Sequence, residues 1–85
     1  MKEVDQEFWD IADEFIKLAN TKAKNISRSK VSVAFLYAVT RYNSFISISQ
    51  DENPEDNKEE ALKYFLKQYK LMFLDNYEDQ QENKK

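Results

Sequence analysis

The run from Val31 to Ile48, VSVAFLYAVTRYNSFISI, carries apolar or small residues at nearly every position. It is too long for a single strand and holds no strict alternation, so it reads as a helix over residues 29–49. A helix apolar almost all round has to be covered on more than one side, by its own chain or by another. That requirement sets what the rest of the sequence must supply.

Two further helices are predicted. Over residues 5–24, Phe8, Ile11, Phe15 and Leu18 recur at helical spacing beside a second row of Trp9, Ala12, Ile16, Ala19 and Ala23. Asp5 is placed to cap this helix and Val4 to staple against Trp9, with acids early and Lys17, Lys22 and Lys24 late, as the helix dipole favours. Asn25 to Ser29 reads as a turn, with Asn25 suited to the left-handed conformation and Ser27 or Ser29 to the next cap. QDENPEDN, residues 50–57, holds the chain's one proline and reads as a loop in which Asn53 caps a third helix over 54–77. That helix places Ala61, Leu62, Phe65, Tyr69 and Met72 on one face and Leu66, Phe73 and Tyr77 beside it, with pairs such as Glu59 and Lys63 on the outside. Residues 78–85, EDQQENKK, are polar without periodicity and are expected to fray as a disordered tail. The fold class is therefore all-α, an antiparallel three-helix bundle in a single domain, 1–85.

An arginine and an asparagine inside the apolar run, TRYNSF, need an explanation. If the first two helices pair about a turn near Ser27, Asp13 meets Arg41 and Asp10 falls near Asn43. Trp9, Asp13, Ile16 and Asn20 also form one stripe, which sets the Asp13 carboxylate on an otherwise apolar face. Leaving one partner of a buried pair unmatched costs about 3–5 kcal/mol, so a structural clasp of Asp13 with Arg41, flanked by Asp10 and Asn43, accounts for both charges together. An anion site built on Arg41 is the competing reading.

Composition narrows the chemistry. A chain of 85 residues is near the smallest size that folds on one core without metals or disulfides, and twelve aromatics help it do so. With no Cys and no His, thiolate and most transition-metal sites are excluded, as are cysteine nucleophiles and the commonest neutral-pH general base. With no Gly, phosphate-cradling loops are excluded as well. The acidic loop departs from a calcium-binding EF-hand at Asp56 and Leu62, where Gly and Glu are required. No cofactor and no enzyme activity are expected; Asp10, Asp13 and Glu14 beside Lys17 read as surface and clasp. MKEVDQEF shows no leader pattern and no stretch approaches a membrane span, so no membrane and a cytoplasmic location are expected, in keeping with the lack of Cys. Without secretion, the Asn25-Ile26-Ser27 triplet carries no meaning as a glycosylation acceptor.

Between Glu14 and Asp51 every charged residue is basic, although the net charge is −3. Lys22, Lys24, Arg28 and Lys30, with Lys17, form an anion patch around the first turn, but no aromatic interleaves it for base stacking, and nucleic acid is the disfavoured partner. The favoured one is a protein, or a second copy of the chain in a homodimer, docked on the second helix through Val33, Leu36, Val39 and Ile46, the side its two neighbours leave open.

The segments FWDIADEFIKLAN (8–20), KVSVAFLYAVTRYNSF (30–45) and EEALKYFLKQYKLMF (59–73) resemble the small bacterial family known as domain of unknown function 3144. The motifs are mainly core residues; Trp9, Asp13, Asn20, Arg41 and Asn43 are the distinctive ones. The resemblance implies a small helical bacterial protein and no catalytic residues, and leaves the loop before Pro54 and the tail after Tyr77 outside its pattern.

Overall fold

The computed structural model describes residues 4–83, and it is all-α, with three helices and no strand among those residues. They are α1 (Gln6–Lys22), α2 (Arg28–Ser49) and α3 (Lys58–Asn83). The chain divides into two compact units, Met1–Ser44 and Phe45–Lys85, with the division inside α2.

The first unit is a helical hairpin of α1 and most of α2. Its start is set by Asp5, whose carboxylate accepts a hydrogen bond from the Phe8 N–H at 2.9 Å, while Val4 beside it is half-buried. Helix α1 ends without a left-handed residue. Ala23 stays right-handed, and the Lys24 and Asn25 N–H groups bond back three residues to Thr21 and Lys22. No non-glycine residue among those described has positive φ, so the left-handed Asn25 is not formed; short backbone bonds tighten the last turn instead. Ser27 caps α2, its hydroxyl accepting from the Lys30 N–H at 3.1 Å.

The rings of Phe15 and Phe35 lie 6.4 Å apart and set the register of the hairpin. Phe8, Ala12, Ala19 and Ala23 of α1 and Val31 and Phe35 of α2 are half-buried. These positions fall four or seven residues apart, one or two helical turns, so each helix turns one narrow stripe inward, and the small Ala12 and Ala19 allow close approach.

The second unit holds the last turn of α2, the 50–57 loop and α3. Here the loop is organised by Asp51, which is half-buried. One carboxylate oxygen accepts from the Asn53 N–H at 2.8 Å and from the Asn57 side-chain amide at 3.1 Å. Asn53 contributes its backbone carbonyl, which accepts from the N–H groups of Asp56 and Asn57, and α3 begins at Lys58 rather than Pro54. The expected Asn53 cap is thus corrected: a carboxylate accepts more strongly than an amide and closes the turn two residues on. Ile46, Ser47, Pro54, Ala61, Phe65 and Gln68 are the unit's other half-buried residues. Asp51→Ala should lower stability by about 1–2 kcal/mol because two donors lose their acceptor, with Asp51→Asn retaining part of it; thermal melts monitored by circular dichroism check this.

Helix α3 continues to Asn83, so residues 78–83 are helical where a frayed tail was expected; residues 84–85 of that tail lie outside the described residues. No glycine or proline interrupts the segment, Glu and Gln are good helix formers, and the Asn76 side chain bonds the Met72 carbonyl at 2.9 Å.

Candidate functional site

The Asp13–Arg41 clasp is not formed. Among the described residues the one ion pair joins Lys58 to Glu55 at 3.7 Å, and both Asp13 and Arg41 are exposed. Register is the reason. With Phe15 level with Phe35, Asp13 falls level with Tyr37 and Arg41 with Trp9, which separates the two charges by about 6 Å along the helix axis. The turn is centred near Asn25, not Ser27, and that displacement carries Arg41 one helical turn past its expected partner. Asp10 takes its hydrogen bond from the Gln6 amide at 2.9 Å on its own helix, and Asn43 is half-buried near the level of Phe8. Nor does Glu59 pair with Lys63. In water such pairs gain little over solvation and side-chain freedom. Arg41→Met should therefore change stability by no more than about 0.5 kcal/mol; a loss several times larger in a denaturant titration would restore the clasp.

Lys22 closes α1, Lys24 lies in the turn, and Arg28 and Lys30 open α2, all exposed. The first turn of α2 contains no acid. Lys22 suits the dipole of the helix it ends, whereas Arg28 and Lys30 oppose the dipole of the helix they begin. Among the described residues, no group of three or more acids is arranged to hold a metal ion.

The apolar surface is the larger feature. No described residue is buried. Val33, Leu36 and Val39 of the expected interface are exposed, Val33 to 68 %, while Ile46 belongs to the second unit and is half-buried. Trp9, Ile11, Ile16 and Leu18 of α1 are also about half exposed. On α3 every described residue from Tyr69 onward is exposed, and Tyr69, Phe73 and Tyr77 stack in sequence with ring centroids 5.9 and 5.8 Å apart. The spacing places Tyr69 on the apolar face of the third helix and Phe73 and Tyr77 beside it, without saying what covers them. The flanking composition marks their exposure: past Phe73 no apolar residue other than Leu74 and Tyr77 remains to pack with them.

No described helix is long and apolar enough to cross a membrane. No curated protein and no solved structure matches the chain. A family model described as a protein of unknown function, DUF3144, matches residues 8–80, running through the 50–57 loop and beyond Tyr77, both of which the motif resemblance had left out. Spanning most of the sequence and all but the ends of the three helices, that match shows that the chain belongs to the DUF3144 family.

Proposed function

We propose that this chain is a non-catalytic interaction module, which docks on a protein partner or on a second copy of itself through apolar helix faces. The observation that carries the reading is the amount of surface left open. The chain exposes 8339 Å². Two separate compact units of half its mass would together expose about 6400 Å² by the size scaling of monomeric proteins. Val33, Leu36, Phe73 and their neighbours are part of that open surface, and uncovered aromatic and aliphatic area of this kind is what protein interfaces use. A cytoplasmic location belongs to the same proposal, since a chain without Cys has no need of an oxidising compartment.

Sedimentation of the purified chain over the micromolar range tests this, together with binding of a dye that fluoresces on apolar surface. The expected result is dye binding by the dilute chain and a species heavier than 10.2 kDa as concentration rises. A 10.2 kDa species throughout that binds no dye would overturn the proposal, because the apolar faces would then be closed within one chain. The basic turn supports a second, weaker reading, polyanion binding through Lys22, Lys24, Arg28 and Lys30. Its mark would be nucleic-acid binding that weakens steeply with salt, and the overall acidity of the chain argues that none is seen even at low ionic strength.

A further inference from the structure

We propose that α3 is a self-recognition helix: two copies of the chain pair α3 against α3, antiparallel, about a two-fold axis at Phe73. The inference rests on the interaction reading above and names its partner and geometry. Leu66, Tyr69, Phe73, Tyr77 and Gln80 follow one another at spacings of 3, 4, 4 and 3 residues, which places them on one stripe of the helix. The same spacing is read from either end. In an antiparallel pair about a two-fold axis at Phe73, a residue a given number of positions before Phe73 lies level with the one the same number after it in the other copy. Tyr69 and Tyr77 lie four residues to either side of Phe73, so a reversed copy lays tyrosine against tyrosine and Phe73 against itself. The four apolar members of the stripe are exposed, Phe73 to 49 % and Tyr77 to 58 %, and the aromatic stack holds their rings in one row before any partner arrives.

Charge selects the orientation. From Ala61 to Met72 every charge on α3 is basic (Lys63, Lys67 and Lys70), after Lys58, Glu59 and Glu60 at the helix start; behind Phe73 stand Asp75, Glu78, Asp79 and Glu82, with no base among the described residues. At about 100° per residue Lys67, Lys70 and Glu78 share one flank of the stripe, and Glu78, five residues past Phe73, comes level between Lys67 and Lys70 of the other copy. In an antiparallel pair the basic half of each helix lies along the acidic half of the other, twice over. A parallel pair would set acids against acids for the whole second half of the helix. The two macrodipoles also oppose one another favourably only in the antiparallel arrangement.

The chain has no cysteine, so single thiols can be introduced cleanly. Full-length Leu66→Cys and Gln80→Cys chains are mixed and oxidised gently, and the covalent dimers are identified by mass. Mixed Leu66→Cys/Gln80→Cys dimers should far exceed the half share that random pairing of an equal mixture gives. In sedimentation, Lys67→Glu/Lys70→Glu should weaken self-association at least about tenfold at low salt. Mixing that variant with Asp75→Lys/Glu78→Lys should restore a dimer, and Ser32→Glu, at an exposed polar position of α2, should leave self-association unchanged. Helicity by circular dichroism confirms that each variant is folded. Self-linked Leu66→Cys dimers in excess would mean parallel pairing and overturn the inference. A wild-type dimer without the mixed cross-link would overturn it while sparing the broader interaction reading. A dye-binding monomer at all concentrations would also overturn it and direct the exposed faces to a different protein.

Discussion

Phe35→Ala is expected to lower stability by about 2–4 kcal/mol, enough to melt the hairpin of α1 and α2 near room temperature in a chain of this size. The ring of Phe35 is half-buried and lies 6.4 Å from that of Phe15. Phe35 and Phe8 are the two large apolar side chains on the inward stripes that are half-buried among the described residues; the remaining half-buried positions there are alanines, Val31 and Asn43. Truncation removes the transfer free energy of the ring and its packing against Phe15, and Ala12 and Ala19 are too small to fill the space. Phe35→Leu should recover more than half of the loss. Chemical denaturation followed by far-ultraviolet circular dichroism gives the numbers, and a loss below about 1 kcal/mol would mean that the hairpin is held elsewhere.

Lys67→Pro carries the second large effect, about 3 kcal/mol or more, in the second unit. Position 67 lies in the interior of α3, so proline removes the N–H that bonds four residues back and drives its ring into that carbonyl. The half-buried Phe65 and Gln68 stand on either side of the break. The control is Lys67→Ala, which keeps the helix and should move stability by less than about 0.5 kcal/mol. Loss of helical ellipticity with proline and none with alanine distinguishes a broken helix from a lost charge. Asn76→Pro, farther along, should unravel the exposed end of α3 and leave the loop held by Asp51 in place.

The helices were legible because apolar spacing and caps are local: Asp5 and Ser27 bond where their types and positions indicate. The ends of α3 were less so. Pro54 marks a helix start by local rules, but the choice between an Asn53 cap and an Asp51 turn depends on which oxygen wins the same donors, and residues 50–57 offer four Asp and Asn side chains. The register of α1 against α2 was not legible to better than a turn. A shift of four residues in sequence moves Arg41 from the level of Asp13 to that of Trp9, and with it a buried clasp becomes two solvated charges. The exposed aromatic row was visible as spacing, yet a stripe of rings has the same pattern whether its cover is its own chain or another.

The absence of any positive φ among the described residues has a consequence for substitution experiments. Every described backbone position is one that any L-amino acid except proline adopts without steric cost. In a saturation scan of this chain, substitutions other than proline and glycine would therefore report on side chains alone. Positions where even the smallest change abolishes association would map the recognition surface directly, free of the hidden backbone requirements that complicate such maps in glycine-bearing folds.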